Sequence, residues 1–306
     1  DGQEVELRIA TMPTAFGEKI VMRIFTPEVL VRDFTDLGFT PDDRALWEQM
    51  VREPHGIVLV TGPTGSGKTT TLYSTLRQLA TPEVNVCTVE DPIEMIEPAL
   101  NQMQVQTSIG VDFASGVRTL LRQDPDIIMV GEIRDRDTAE MAVQAALTGH
   151  LVFSTLHTND APTAVTRLLD LGVPAYLINS TLLGVMAQRL VRTLCPHCKS
   201  PGEPPEEDLW RMLTSPWRSE RPASGWMDPV GCVECRMTGY RGRMGLYEIM
   251  VMTPAIRKLV DEHADDARVR EQAYKDGMRP LRVSGAVKVA SGLTTAEEVM
   301  KVAPLG

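Results

Sequence analysis

The sequence has few aromatic residues, few cysteines and no long hydrophobic segment. Aromatic residues make up 5% of the 306 residues, and five cysteines are present. No apolar run approaches the roughly 18 residues that a membrane-spanning helix needs, and the first residues do not resemble a signal peptide. The chain begins with Asp rather than Met, so we expect a fragment whose upstream domains are not included.

Basic residues are outnumbered by acidic ones. The chain has 31 Lys and Arg against 41 Asp and Glu, which gives a formal net charge of −10. This balance argues against a surface built to hold nucleic acid, although it does not exclude a local basic patch. With 43% apolar residues, the chain is long enough for about two domains with their own cores.

The most informative segment contains a glycine-rich loop between an apolar run and a helical pattern. The loop fits G-x-x-x-x-G-K-[ST] at every specified position. Its glycines let successive backbone N–H groups face one anion at a helix N-terminus, while Lys68 reaches the β and γ phosphates and Thr69 offers a hydroxyl to Mg²⁺. The residues predicted to bind nucleotide are Gly62, Pro63, Thr64, Gly65, Ser66, Gly67, Lys68, Thr69 and Thr70.

Four of the five cysteines form two C-x-x-C pairs. They are Cys195, Cys198, Cys232 and Cys235. Two such turns can share one tetrahedral cation, so the spacing predicts a zinc site with four cysteine ligands. Disulfides and redox catalysis remain the alternatives, and His197 is a substitute donor or a solvated loop residue. Cys87 lies in an apolar run and is expected to be a buried core thiol.

The chain divides into four predicted segments. Residues 1–30 alternate polar and apolar positions, which indicates two strands at the end of a small α+β domain that is otherwise absent. Residues 31–193 alternate buried strands with amphipathic helices, typical of an α/β doubly wound parallel sheet. The cysteine insert covers 194–240, and short helices are expected over 241–306. Strands are predicted near 57–61, 85–89, 127–131 and 151–155, and a helix begins at Thr40-Pro41.

Acidic groups and a histidine follow three of the predicted strands. The segment after 85–89 contains Glu90 and Glu94, Glu132 follows 127–131, and His157 follows 151–155. Because the carboxyl ends of parallel strands meet at one edge of a sheet, these groups are expected beside the phosphate loop. A terminal acid of this kind can hold Mg²⁺ or orient an attacking water.

Together, TVEDPIE, FASGVRTLLRQDPDIIMVGEIRD and TGHLVFSTLHTND resemble the secretion ATPase superfamily, specifically the ATPases of type II secretion and type IV pilus assembly. The resemblance covers nearly the whole chain, and the cysteine insert resembles the assembly and secretion branch rather than the pilus retraction ATPases. It implies a RecA-like P-loop ATPase core with a tetracysteine zinc insert and C-terminal helices, after the remnant of a PAS-like domain.

The resemblance also implies roles for individual residues. Glu94 corresponds to the water-activating glutamate and Glu132 to the magnesium-coordinating one. Arg8 and Arg23 match two arginines that reach the γ phosphate from the N-terminal domain. A second arginine pair, Arg118 and Arg122, is expected four apart on one helix face near the site. His150 and His157 fall in a histidine box that senses nucleotide state.

The family forms hexamers at the cytoplasmic face of the inner membrane. This implies ATP, Mg²⁺ and Zn²⁺ as cofactors, and a polytopic platform protein and a membrane-anchored recruiter as partners, with pilin or pseudopilin subunits as eventual cargo. Two other functions stay open: a nucleic-acid translocase, which the acidic balance opposes, and a nucleotide-binding scaffold that does not hydrolyse. The second is opposed by the presence of Lys68, Glu94 and Glu132 together.

Overall fold

Buried strands and amphipathic helices alternate along the middle of the chain, as the sequence predicts. The computed structural model describes residues 6–25, 32–217 and 219–303. The strands are β1 (Glu6–Thr14), β2 (Gly17–Phe25), β3 (Gly56–Thr61), β4 (Val86–Glu90), β5 (Asn101–Gln104), β6 (Ile127–Val130), β7 (Leu151–Leu156), β8 (Leu182–Leu194), β9 (Ser200–Pro201), β10 (Met227–Asp228) and β11 (Tyr240–Val251). The helices are α1 (Phe34–Leu37), α2 (Pro41–Val51), α3 (Lys68–Leu79), α4 (Phe113–Leu120), α5 (Arg136–Leu147), α6 (Pro162–Asp170), α7 (Ala175–Thr181), α8 (Glu207–Thr214), α9 (Pro254–Arg257), α10 (Asp266–Lys275), α11 (Leu281–Ala290) and α12 (Ala296–Val302).

A seven-stranded sheet in the order β11-β8-β3-β7-β6-β4-β5 forms the centre of the molecule. Every neighbouring pair is parallel except β11 and β8, which pair antiparallel. Alternate residues of β3 enter different cores, Ile57 and Leu59 on one face and Val58 and Val60 on the other. A strand covered on both faces has an uninterrupted apolar sequence, as GIVLVT has here. The predicted α/β doubly wound sheet is therefore confirmed, and all four predicted strands are present.

The edge strand β11 corrects one expectation. The sequence pattern predicts only short helices after the insert, but the segment from Tyr240 to Val251 pairs with β8 over most of its length. Its first residues are exposed, and only Gly245–Met250 are consecutively buried. The segment forms a strand because it pairs with β8, which is 13 residues long. Its own mixed pattern of exposed and buried residues does not predict a strand. The boundaries of the four predicted segments stay predictions.

The amino-terminal segment forms the predicted pair of strands. β1 and β2 are antiparallel and form a two-stranded sheet of their own. Arg8 and Arg23 are opposite each other in the register, but their side chains lie outside the described residues. Their predicted reach to the γ phosphate therefore stays a prediction.

A side chain caps the amino terminus of α2. Thr40 caps α2 as predicted: its hydroxyl oxygen accepts from the Asp43 N–H at 3.1 Å, and an Asp43 carboxylate oxygen accepts from the Thr40 N–H at 2.9 Å.

A third apolar cluster packs Trp210 of α8 and Trp226 against Leu246 of β11 and helices α11 and α12. This cluster joins the cysteine insert to the carboxyl-terminal helices.

Candidate active site

The phosphate loop connects β3 to α3 and depends on glycine at two tight positions. Gly62 has φ 149° and Gly67 has φ 88°, values that favour glycine. A Cβ at Gly62 would lie 2.5 Å from the Gln188 carbonyl oxygen, and one at Gly67 would lie 2.8 Å from Gln188 Nε2. The adjacent strand β8 therefore packs against both ends of the loop, with its backbone at Gly62 and a side chain at Gly67.

Lys68 is buried and bonded to its own loop. Its Nζ donates to the Gly62 and Pro63 carbonyl oxygens at 2.7 and 3.2 Å. Burial lowers the pKa of Lys68 to about 8, although the charge of Glu132 opposes this. The buried Ser66 Oγ has no hydrogen-bond partner among the described residues. A concave loop with a cation and an unsatisfied buried hydroxyl fits a phosphate group.

A cavity of about 540 Å³ opens beside this loop. It brings the loop together with the groups that follow β4, β6 and β7, because these strands are parallel and end at the same edge of the sheet. Its lining includes Thr64, Gly65, Ser66, Gly67, Lys68, Thr69, Thr70, Glu90, Asp91, Pro92, Glu94, Glu132, Arg134, His157 and Arg243. The three polar clusters therefore lie beside the phosphate loop, as the sequence predicts.

The Glu132 carboxylate is held by two basic side chains. Arg134 Nη2 lies 2.5 Å from one carboxylate oxygen, and His157 Nε2 lies 3.1 Å from the other. Partial burial would raise the pKa of Glu132, but the Arg134 hydrogen bond and charge outweigh it and lower that pKa. Glu132 is therefore ionised at neutral pH. A carboxylate beside the Thr69 hydroxyl in one cavity is the oxygen donor chemistry that Mg²⁺ prefers, so the residues fit this ion.

Glu94 lies on the loop that leaves β4 and lines the cavity. It is half-buried, as is the preceding Ile93. The Ile93 N–H donates to Gln104 Oε1 of β5 at 3.2 Å, which fixes this part of the loop against the sheet edge. A carboxylate in this place can accept a proton from a water near the phosphate loop.

Of the predicted arginines, Arg118 and Arg122 are not among the described residues that line the cavity. Arg118 is on α4 with its Nη2 3.8 Å from Met141 Sδ. The prediction of a shared helix face was wrong, because α4 ends at Leu120 and Arg122 follows in a turn. Within the described residues, the cavity lining includes neither arginine.

Arg134 and Arg243 line the cavity instead, and the sequence analysis missed both. Arg134 could have been found, since it stands two positions after Glu132 in GEIRD. No local signal marks Arg243, because it reaches the cavity through β11, a strand that the sequence pattern did not predict. Phosphate chemistry in this cavity therefore has two further cations within the chain.

The two histidines of the predicted histidine box lie at opposite ends of β7. His157 follows the strand and contacts Glu132, whereas His150 precedes it. His150 Nδ1 lies 2.8 Å from the Ala145 carbonyl oxygen and 3.1 Å from Thr148 Oγ1. His150 therefore packs against the end of helix α5 and is not among the described residues that line the cavity.

The four paired cysteines come together in the insert. Their sulfur atoms all lie within 4.8 Å of one another, and three of the separations are 3.9, 3.8 and 3.8 Å. A tetrahedron of sulfurs about 2.3 Å from a zinc ion has edges of about 3.8 Å. All five cysteines are free thiols, so these distances fit a shared metal and not a disulfide.

Backbone N–H groups support this cluster from outside. Gly231 N donates to Cys198 Sγ at 3.3 Å, and Cys232 N and Gly239 N donate to Cys235 Sγ at 3.1 and 3.3 Å. Such bonds stabilise thiolates in the form that binds a metal. Of the remaining candidates, His197 is not in the cluster, and Cys87, 1% exposed in β4, is the predicted core thiol.

A glycine-rich phosphate loop between a buried parallel strand and a helix, with acids at the ends of neighbouring strands, defines a P-loop nucleoside triphosphate-binding protein of the RecA-like kind. A family model described as "Type II/IV secretion system protein" matches residues 1–301. The chain belongs to this family, which confirms the resemblance.

Named relatives and solved structures agree with this assignment. "Type IV pilus assembly ATPase TfpB" of Acinetobacter baylyi is 59% identical over 304 residues, 99% of this chain and 52% of that protein. "Type II secretion system protein E" of Pseudomonas aeruginosa is 47% identical over 302 residues, 98% of this chain and 59% of that protein. The pilus retraction motor PilT with bound ADP has a TM-score of 0.64 at 25% identity, covering 98% of this chain and 78% of PilT. The Legionella pneumophila ATPase DotB has a TM-score of 0.68 at 23% identity, covering 97% of this chain and 72% of DotB, which shows a shared fold.

The chain spans 52% and 59% of the length of these two curated relatives. Among the described residues, no helix is both long enough and apolar enough to cross a membrane.

Proposed function

We propose that this chain hydrolyses Mg-ATP as the motor subunit of a type II secretion system or a type IV pilus assembly machine. The observation that carries the proposal is that the phosphate loop, Glu94 and Glu132 line one cavity. A nucleotide-binding scaffold needs the loop alone, whereas hydrolysis also needs a carboxylate for water and one for the metal. Relatives at 59% and 47% identity carry pilus assembly and secretion names.

The chain's residues divide the chemistry between them. Lys68, with Arg134 and Arg243 in the same cavity, stabilises negative charge on the transferring phosphoryl group. Glu94 positions or deprotonates the attacking water. Thr69 and Glu132 would hold Mg²⁺, which when bound supplies charge neutralisation at the β and γ phosphates. Because phosphoryl transfer needs little covalent help, placement of these groups accounts for most of the catalysis.

We infer that the contacts of Glu132 change when a metal ion binds. Both of its carboxylate oxygens are in contact with a basic side chain, Arg134 on one side and His157 on the other. A metal ion bound to this carboxylate would weaken one of those contacts. We infer that His157 then senses whether nucleotide is bound, which is the role that the resemblance implies for the histidine box.

The larger assembly follows from the family. We infer a homo-hexamer at the cytoplasmic face of the inner membrane, with a platform protein and a recruiter as partners and pilin-like subunits as cargo. Arg8 and Arg23 would complete the site from the amino-terminal domain. Hydrolysis would change the angle between the two domains. The insert would hold one structural zinc through Cys195, Cys198, Cys232 and Cys235.

Turnover of Mg-ATP, measured with and without single-stranded DNA, tests the activity. The proposal predicts hydrolysis that requires Mg²⁺ and does not respond to DNA. Stimulation by DNA would support a nucleic-acid translocase instead. Tight ATP binding with no turnover, under conditions in which an oligomer forms, would support a scaffold.

A further inference from the structure

The loop that carries Glu94 leaves β4 at a buried glutamate with several hydrogen-bond donors. Glu90 is 3% exposed. Its Oε2 accepts from the Tyr73 hydroxyl at 2.6 Å, and its Oε1 accepts from Thr88 Oγ1 at 2.7 Å and from Gln102 Nε2 at 3.2 Å. A buried carboxylate needs such partners, because burial removes the water that would otherwise solvate its charge. Glu90 is therefore a fixed point four residues before Glu94.

The same two partners, Tyr73 and Gln102, hold the far end of the loop. The Tyr73 hydroxyl lies 3.2 Å from the Met95 carbonyl oxygen, and Gln102 Nε2 lies 2.9 Å from it. Gln102 Nε2 also lies 3.0 Å from the Tyr73 hydroxyl. The Gln102 side-chain oxygen accepts from the Glu97 N–H at 2.7 Å. One tyrosine and one glutamine thus contact the residues on both sides of Asp91–Glu94.

These contacts connect the loop to the helix of the phosphate loop. Tyr73 is on α3, which begins at Lys68, and its side chain is fully buried. Burial, with the charge of Glu90, raises the pKa of Tyr73 above its ordinary value, so the hydroxyl keeps its proton as a donor at neutral pH. Gln102 is on β5, at the edge of the sheet. The contacts of Tyr73 and Gln102 therefore connect α3 and β5 to the loop that carries Glu94, and neither side chain is among the described residues that line the cavity.

We propose that Tyr73 and Gln102 are positioning residues that set the place of the Glu94 carboxylate relative to the phosphate loop. The two side chains, together with Glu90, are called the tyrosine clamp. The inference rests on the proposed role of Glu94 in hydrolysis. Removing one donor would leave the loop folded but free to shift, and a misplacement of about 1 Å in an active site can cost about 10²-fold in rate.

The principal test is Tyr73→Phe in the full chain, which removes a single hydroxyl and keeps the ring. We expect kcat to fall by about 10-fold to 10²-fold, while the KM for Mg-ATP and the Kd for ADP change by less than about threefold. The matched control is Tyr247→Phe. The Tyr247 side chain is 1% exposed and its hydroxyl donates to the Leu37 carbonyl oxygen at 2.9 Å, outside the clamp. It should lose comparable stability and keep kcat.

A double-mutant comparison separates positioning from general weakening of the fold. In a Glu94→Gln background, Tyr73→Phe should lower kcat no further, because the residue that it positions is already disabled. Gln102→Met, which removes the amide at similar length, should repeat the kcat effect and covers the case in which Tyr73→Phe does not fold.

Three results would overturn the clamp. They are an equal loss of kcat in Tyr247→Phe, a parallel loss of ADP binding in Tyr73→Phe, and a full further loss of kcat in the Glu94→Gln background. If Glu94→Gln alone left turnover at the wild-type level, the proposed role of Glu94 would be overturned, and the clamp with it. The two failures are therefore distinguishable.

Discussion

His157 Nε2 lies 3.1 Å from Glu132 Oε2, and the two residues follow neighbouring parallel strands, β7 and β6. The second Glu132 oxygen is 2.5 Å from Arg134. These contacts keep the carboxylate ionised and fix its direction in the cavity. The carboxylate is therefore an anionic oxygen donor fixed in the cavity, and its remaining lone pairs suit a divalent cation.

The first prediction concerns the two acids of the cavity. Glu94→Gln and Glu132→Gln should each lower turnover by about 10² or more, because each loses a carboxylate while the phosphate loop remains. ATP binding should persist in both variants. Turnover and nucleotide affinity are measured on the same preparations.

Glu140→Gln is the control for this pair, since Glu140 is an exposed acid that pairs with Arg136 on α5. It should behave as wild type. If Glu94→Gln or Glu132→Gln instead lost ATP binding and turnover in equal measure, that acid would have a structural role and not the one assigned to it.

The second prediction concerns the phosphate loop. Lys68→Ala should abolish hydrolysis and weaken ATP binding while the fold stays intact, because the loop loses its own cation. Lys275→Ala, at an exposed helical pair with Glu271, is the control. Turnover of Lys68→Ala within a factor of about 3 of wild type would contradict the assignment.

Four of the parallel strands could be predicted from sequence because their signals are local. The strand β8, which pairs parallel with β3, was not among the predicted strands although most of it is buried. β3, β4, β6 and β7 are short and fully buried, so each has a continuous apolar sequence between turn residues. β5 and β11 could not be predicted in this way. β5 has no buried residue, and the first half of β11 is largely exposed, so only pairing with a neighbouring strand makes them strands.

The candidate site likewise contains residues that local sequence signals predict and residues that they do not. The phosphate loop, Glu132 and His157 stand directly beside the strands that place them, so motif and strand together predict the cavity. Arg243 depends on β11, and the tyrosine clamp joins residues of α3, β4 and β5 that no short motif connects. For Arg118 and Arg122 the sequence pattern predicts one shared helix face. That prediction fails because α4 ends before Arg122.

A third prediction tests the cysteine cluster. Metal analysis should find about one zinc per chain, with Zn–S distances of about 2.3 Å. Cys195→Ser should lower the zinc content and loosen residues 195–240 far more than the phosphate-loop core, because the four ligands lie in that segment. Cys87→Ala, a buried cysteine outside the cluster, should keep the metal. A disulfide within either pair, or metal-free protein purified without chelator, would refute the site.

A fourth prediction concerns the arginines of the amino-terminal strands. If Arg8 and Arg23 bring charge to the γ phosphate, Arg8→Ala and Arg23→Ala should each lower turnover, by up to about 10³, as the loss of an arginine finger does. An exposed arginine without this role would contribute only about 0 to 1 kcal/mol, so Arg52→Ala, at an exposed pair with Glu48, is the control. Specific activity should also rise with protein concentration if a ring assembles the site. Constant specific activity with an unaffected Arg23→Ala would eliminate this arrangement.

The last prediction concerns a buried acid behind the phosphate loop. Glu248 of β11 is 5% exposed, and burial raises its pKa from 4.5 to about 7, opposed by the Ala161 N–H that donates to it and by the charge of Arg270. The neighbouring Asp160 has a lowered pKa, held down against its own burial by hydrogen bonds from Thr163 and Arg270. Glu248 is therefore the member of this group that changes charge as the pH passes through about 7.

The sign of the effect on stability follows from proton binding. Between pH 4.5 and about 7, the folded chain binds more protons at Glu248 than the unfolded chain does, so the free energy of unfolding falls as pH rises and levels off above about pH 7. The total is at most about 3.5 kcal/mol, since one pKa unit corresponds to about 1.4 kcal/mol. Glu248→Gln should reduce this slope in denaturant unfolding followed across the same pH range. Glu271→Gln, at an exposed acid paired with Lys275, should keep it. An unchanged slope in Glu248→Gln would show that Glu248 is ionised in the folded chain across the whole range.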